Sequence, residues 1–208
     1  MTAISGLFAV GECQYQFHGA NLLEGNVIPV SLFSGWKGGE AAASYLSGVG
    51  EGRDEPPPSL FDKTLMREKE MVAAVREGTG KESLPLLTRE LQQGMTAQAG
   101  LARKNGGLKE VDEKIVSLSE RSHKITLADH GPYMNNELRE GISLRPRLDL
   151  CRAIARAALL RNETRGCHDK PEYPKRDDGA FLKSSKVYWT PDGPRVEYED
   201  VNIKYVKP

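Results

Sequence analysis

Few residues in this 208-residue chain have a type and spacing that can do chemistry unaided. There is no Gly-x-Gly-x-x-Gly fingerprint, no metal-ligand spacing and no Ser/His/Asp arrangement, so no self-contained catalytic site and no metal site is expected. What remains is a ligand-facing segment near the start. Leu7-Phe-Ala-Val10 is a short apolar run that ends in Gly11-Glu12, and it reads as a buried strand delivering a carboxylate at its carboxyl end, where open α/β sheets place their ligands. The first 50 residues are rich in Gly and small side chains, which lets backbone approach another group closely. On residue type alone Glu12 is an ordinary exposed strand-end acid. His18 reads as a structural hydrogen-bonding residue rather than a base, and Cys167-His168 as loop residues rather than metal ligands. Arg161, Glu163, Arg165, Arg176 and Asp177 read as a solvated charge run.

The elements that must position these residues can be laid out from apolar spacing. Pro29 suits a first helical turn, and Ile28 before it is biased away from α geometry, so a helix is expected from Pro29 to about Leu46. Gly35, Gly38 and Gly39 inside it each cost about 1 kcal/mol relative to Ala, which implies tight packing against a sheet or a cofactor; a frayed loop is the alternative. Glu51-Gly-Arg-Asp-Glu-Pro-Pro-Pro58 reads as a surface linker. Ser59 then caps a helix carrying Leu60, Phe61, Leu65, Met66 and Val72. A second helix follows with Leu84, Leu87, Leu91 and Met95, ended by Gly106-Gly107. A third carries Leu108, Val111, Ile115 and Leu118, with Glu110 and Lys114 spaced for an i,i+4 pair. A fourth, from about Asn136 to Leu160, buries Leu138, Ile142, Leu148, Cys151, Ile154, Ala155 and Ala158, with a kink at Pro146. These four make an antiparallel bundle. Beyond a polar loop, Val187-Tyr-Trp189, the turn Pro191-Asp-Gly-Pro194, Val196-Glu-Tyr198 and Val201-Asn-Ile203 argue a small hairpin or meander. The fold class is α+β, with regions at 1–50, 59–160 and 161–208.

Composition narrows the partners. Lys+Arg and Asp+Glu balance at 29 each, so no global field gathers nucleic acid, anionic lipid or a polyanion, and partners must be recognised locally. Three widely spaced cysteines without a Cys-x-x-Cys pair fit reduced thiols in a cytosol-like compartment. No apolar run approaches the roughly 20 residues that span a bilayer, and the first residues lack the basic region of a signal peptide.

Longer patterns go further. Gly6-Leu-Phe-Ala-Val-Gly-Glu-Cys13, then His18-Gly-Ala-Asn21 and Gly25-Asn26, resembles the pattern Gly-Leu-Phe/Tyr-Ala-Ala/Val-Gly-Glu…His-Gly-Ala-Asn-Arg-Leu-Gly-x-Asn-Ser-Leu of succinate dehydrogenase and fumarate reductase flavoprotein subunits. Arg161-Asn-Glu-Thr-Arg-Gly-Cys-His168, Tyr173-Pro-Lys-Arg-Asp-Asp178 and Phe181-Leu-Lys183 resemble later motifs of the same family in order and distance. The resemblance covers essentially the whole chain and matches the carboxy-terminal part of such a subunit. It implies FAD as cofactor and a strand–helix piece of the FAD-binding domain, completed by an amino-terminal half or a separate chain. It also implies a dicarboxylate substrate and an iron–sulfur subunit as partner. Membrane anchor subunits would be reached only indirectly, at the inner face of the membrane from the cytoplasm. An L-aspartate oxidase-like flavoprotein and a non-catalytic assembly component that keeps the fold are the alternatives.

Carried over by position, the resemblance gives Glu12 a hydroxyl of the flavin's ribityl chain to bind and sets Val27 and Ile28, with Asn26 before them, against the isoalloxazine ring. Helix amino-terminal amides favour the negative charge that builds on one edge of a reduced flavin. It also turns the later charge run into a salt-bridged network fastening the bundle to the FAD domain. Leu22 stands where the family has the Arg that clamps a dicarboxylate, Glu24 where it has Gly, and Val27 where it has Ser. An apolar side chain cannot bind a carboxylate, so this position supplies no clamp for succinate or fumarate. In a complete flavoprotein containing this segment, Leu22→Arg with Glu24→Gly should raise succinate-dependent reduction of an artificial acceptor about tenfold to a hundredfold, the worth of one charge-assisted contact. No rise, with FAD content and folding unchanged, would remove Leu22 from the clamping position.

Overall fold

Pro29 has no amide to donate, and helix α1 (Val27–Gly48) sets it third in the first turn, where no intrahelical bond is lost. The helix thus starts two residues ahead of the expected Pro29. The computed structural model describes residues 1–2, 4–14, 19–21, 24–49 and 57–204. The chain divides into two units, Met1–Leu60 and Phe61–Pro208.

In the first unit, Leu7–Val10 is not the buried strand expected. Among the described residues no ladder partner pairs with it, and Leu7 and Val10 are exposed. An extended segment becomes a strand only when a neighbour takes its backbone bonds. Here it lies along α1 instead. The Phe8 ring stands edge-on to Tyr45 at 6.1 Å, and Val10 packs so closely on Gly38 that a Cβ there would overlap its side chain. Gly38 therefore serves the tight packing its cost implied, whereas Gly35 and Gly39 face open space.

Helix α2 (Pro58–Arg76) begins at the proline, so Ser59 lies inside it rather than capping it. Leu60, Phe61, Leu65 and Met66 are exposed rather than packed in a bundle; only near the end of α2 does Val75 reach the core. The bundle of the second unit is built from α3 (Leu84–Gln98), α4 (Asn105–Ser122) and α5 (Asn136–Leu160). Leu84, Leu87 and Leu91 meet Val111, Ile115 and Leu118, and Leu144, Leu148 and Ala155 close the core. Gly106-Gly107 does not end α3, which stops at Gln98, but opens the first turn of α4. Glu110 accepts from Gln98 Nε2 at 3.3 Å in place of the expected pairing with Lys114. Helix α5 runs through Pro146 to the expected ends, started by Asn135, whose side chain accepts from the Leu138 amide. Ile154, expected in the core, is exposed, and Leu144 takes a core position.

Two small sheets complete the unit. Strands β1 (Glu82–Ser83) and β2 (Ile125–Thr126) pair in parallel. After the single turn α6 (Asp178–Phe181), β3 (Lys183–Tyr188) and β4 (Arg195–Asp200) form an antiparallel hairpin with Val187 opposite Val196. Trp189 falls in the connecting turn and Val201–Ile203 outside any strand, so the terminal element is a hairpin and not a meander. Among the described residues no helix is long and apolar enough to cross a membrane.

The loop between α5 and α6 joins these parts through a fully buried lysine. Lys170 Nζ donates to the carbonyls of Ala158, Leu159 and Arg161 at 3.0, 2.9 and 3.2 Å and to Asn162 Oδ1 at 2.9 Å. It thereby fills the carbonyl end of α5, where a cation is favoured. Burial lowers its pKa to about 8, so the ammonium still predominates at neutral pH. Two residues on, Glu172 Oε2 accepts from the Asn105 amide at 2.6 Å and anchors the amino end of α4. Lys170→Met keeps the aliphatic stem but strands these acceptors, and it should lower unfolding free energy by about 3 kcal/mol. Urea denaturation followed by circular dichroism measures this; a loss within the ordinary surface range would show that the ammonium is dispensable.

Candidate functional site

The turn that carries Glu12 is fixed from behind. Gly11 has φ 73°, a conformation that suits glycine, and it turns the chain into the single 3₁₀ turn Gly11–Cys13. Its amide donates to Ser34 Oγ at 2.8 Å, and the Ser34 hydroxyl donates to the Ser31 carbonyl at 3.1 Å. Ser34 is the one buried residue of α1, so this bond is shielded from water. Glu12 itself is exposed, its carboxylate open to a ligand.

At its start α1 offers the complementary feature. Asn26 precedes the helix with φ −87° and ψ −7°, and its side chain makes no capping bond. Among the described residues the Ile28 amide is thus not closed off by the cap side chain that normally takes it, and Ile28 is 72% exposed. Ser34 lies seven residues, about 10 Å, beyond Val27 along the axis. An extended polar ligand laid along the first two turns could meet both the open amides and the Gly11–Glu12 turn. Leu22 and His18 lie outside the described residues; Glu24 is exposed. Ser31 and Ser34 were not singled out by sequence, although their spacing of three already puts both hydroxyls on one helix face.

The later charge run is no solvated patch. Glu163 is fully buried and holds Arg165 through paired bonds of 2.8 and 2.9 Å, Arg161 at 2.7 Å and the Asp177 amide at 3.0 Å. Arg165 also reaches Asp178 at 2.6 Å, and Arg176 reaches Asp178 at 2.8 Å. Asp177 contributes its backbone and caps α6 by accepting from the Ala180 amide. Arg161 donates onward to the carbonyls of Phe181 and Lys183, at 2.6 and 3.0 Å, and to Ser185 Oγ at 3.1 Å. Within this unit the network fastens the hairpin to the end of α5. His168 belongs to the same knot. Arg103 donates to its Nδ1 at 3.1 Å, so the proton sits on Nε2 and is given to the Arg161 carbonyl at 2.9 Å. Burial, with the charges of Arg103, Lys170 and Arg161, holds its pKa below the usual histidine value. Both ring nitrogens are committed, which leaves it a structural residue. Among the described residues no group of three His, Cys, Asp or Glu could hold a metal ion.

A family described as "Fumarate reductase flavoprotein C-term" matches residues 88–208. The chain is 36% identical to a succinate dehydrogenase flavoprotein subunit of Bacillus subtilis, over all of this chain and 36% of that protein. It is 32% identical to a fumarate reductase flavoprotein subunit of Haemophilus influenzae, over all of this chain and 34% of the other. Among solved structures, an E. coli quinol fumarate reductase chain superposes with a TM-score of 0.88 at 29% identity, covering 99% of this chain and 35% of that one. The chain thus spans about a third of the length of the curated relatives it matches.

The buried network makes acid sensitivity testable. Burial alone would raise the Glu163 pKa, but hydrogen bonds from Arg165, the Asp177 amide and Arg161 outweigh it and hold the carboxyl below its ordinary value of 4.5. The unfolded chain therefore takes up this proton first as pH falls. The stability Glu163 contributes is complete above 4.5 and is lost as pH drops through the lower folded-state value. Glu163→Gln should cost about 3–5 kcal/mol at pH 7, because Arg161 loses its carboxylate partner and Arg165 keeps only Asp178. It should also flatten the fall in stability on acidification below the ordinary carboxyl value. A variant that acidifies with the parent's slope would show that Glu163 does not carry this dependence.

Proposed function

The chain belongs to the family of succinate dehydrogenase and fumarate reductase flavoprotein subunits, and from that premise we propose that it is the carboxy-terminal portion of an FAD-dependent subunit interconverting succinate and fumarate. Electrons pass on to an iron–sulfur subunit, and the assembly meets the membrane through further partners. The observation that carries this reading is the pairing of an exposed Glu12 on a braced glycine turn with the uncapped amino terminus of α1.

These residues suit part of a flavin nucleotide. Glu12, an acceptor when ionised, takes a bond from a polyol hydroxyl of the cofactor. The Val27 and Ile28 amides point the positive end of the α1 dipole at an anionic edge, with Asn26 leaving them free to donate. When bound, the flavin supplies the hydride acceptance that the side chains of this segment lack. The pyrophosphate and adenosine call for the Gly-x-Gly-x-x-Gly unit absent from this sequence. Leu22 and Glu24 stand where the family pattern has Arg and Gly; with neither supplying a cation, dicarboxylate binding depends on residues from the rest of the subunit. Leu22 is also what favours the reading as an assembly component that retains the fold without turnover.

The 208-residue chain purified alone should emerge from gel filtration colourless after incubation with FAD, and addition of a chain supplying the amino-terminal domain should give a stable yellow complex. Flavin absorbance retained by the isolated chain, or none retained by the reconstituted pair, would overturn the division of the cofactor site.

A further inference from the structure

The outer face of α5 and the turn between β3 and β4 form the two walls of a cleft of about 650 Å³, within the range of small-ligand sites. Leu150 and Ile154 line one wall and Val187 and Trp189 the other. Leu150 is 63% and Trp189 71% exposed, an unusual outlay of large apolar surface at one place.

The cleft is preformed. Thr190 and Gly193 close the turn by reciprocal backbone bonds of 3.2 and 2.9 Å, and the Thr190 hydroxyl adds a third at 2.6 Å. Gly193, at φ 112°, lies on the Arg152 guanidinium so closely that a Cβ would come within 2.7 Å of it. Arg152 is fixed in turn by Asp112 at 3.2 Å.

Charge selects the ligand. Asp112 is shared by Arg152 and Arg156, at 3.2 and 3.4 Å, so two guanidinium groups meet one carboxylate. Arg145 and Asp149, one turn apart on the cleft wall, make no ion pair among the described residues. Among the ionisable residues that line the cleft, Arg145, Asp149 and Arg152, the balance is one positive charge in excess. Arg145 offers a planar fork matched to a carboxylate, while Asp149 beside it repels a second negative charge. From Arg145 to Ala157 the wall runs about 18 Å along α5, room for an apolar body as well as its head.

We propose that this cleft binds a monoanionic amphiphile, a single carboxylate on an apolar body, with the carboxylate on Arg145 and the body against Ile154 and Trp189. The site is independent of the flavin reading, since none of its residues lies in the segment that carries Glu12.

Trp36 and Trp189 are the two tryptophans of the chain, so Trp36→Phe leaves Trp189 as sole reporter. Decanoate, kept below its micellar range, should shift Trp189 fluorescence saturably. Arg145→Gln, at an exposed position that makes no ion pair among the described residues, should weaken binding about tenfold, as loss of one charge-assisted contact requires. Leu150→Glu, also on the surface, should abolish it, with the circular dichroism of both variants unchanged. Decanol and decyltrimethylammonium should bind at least tenfold more weakly than decanoate, and acetate should give no response. Equal response to the three ten-carbon amphiphiles, undiminished binding by Arg145→Gln or Leu150→Glu, or no saturable response to decanoate would each overturn the proposal.

Discussion

Two opposite charges, two residues apart, hold the larger unit together. Lys170 fills the carbonyl end of α5 and Glu172 anchors the amide end of α4. The two helices are antiparallel neighbours, so these ends lie side by side, and a single short segment can satisfy both. A helix terminus leaves several backbone groups without intrahelical partners, and a bundle that buries such ends must find them partners elsewhere. Here the loop does so with the cation on the negative end of one dipole and the anion on the positive end of the other. Neither side chain could exchange places with the other.

From that fixed point the hairpin is hung through Glu163. A buried carboxylate is costly unless its oxygens are saturated, and Glu163 has guanidinium groups on both oxygens and a backbone amide on one. The arginines are themselves committed to carbonyls and to Asp178. Each group is satisfied by the next, so the loop has one arrangement rather than several. The contrast with the Glu12 turn is informative. There only the backbone of Gly11 is pinned, by Ser34, and the carboxylate is left open. One acid is consumed by the fold and the other is left exposed.

Sequence showed the helices best where apolar spacing and local chemistry agreed, as in α5, whose ends follow from Asn135 and Leu160. It showed the hairpin through its Asp-Gly turn and alternating residues. It misled where the deciding partner is distant in sequence. Leu7–Val10 has strand composition, but a strand needs a ladder that composition cannot supply. The apolar stripe of α2 looks like a bundle face, yet Leu65 and Met66 are exposed. Gly106-Gly107 looked like a stop because two glycines weaken a helix, whereas the break comes at Gln98. At the candidate site, the motif resemblance singled out Glu12, Asn26, Val27 and Ile28, while Ser34 was hidden because a serine within a helix has no distinctive pattern. On residue type alone Glu163 reads as solvated, because a charge run looks the same in sequence whether it faces water or is folded onto itself; only the motif resemblance pointed to a salt-bridged network.

The parallel pairing of β1 with β2 bears on the order in which the chain folds. Glu82 and Ser83 lie opposite Ile125 and Thr126, and everything between them is α3, α4 and their connection. Closing a loop of about forty residues costs entropy that two short strands cannot recover, so the pair can persist only once α3 and α4 have docked and brought its ends together. It is therefore a late-closing clasp rather than a nucleus. The Glu82 amide, bonded to the Lys124 carbonyl at 3.0 Å, is expected to exchange with solvent only when α3 and α4 separate. Exchange markedly faster than that of the core amides of α4 would show instead that the clasp opens on its own.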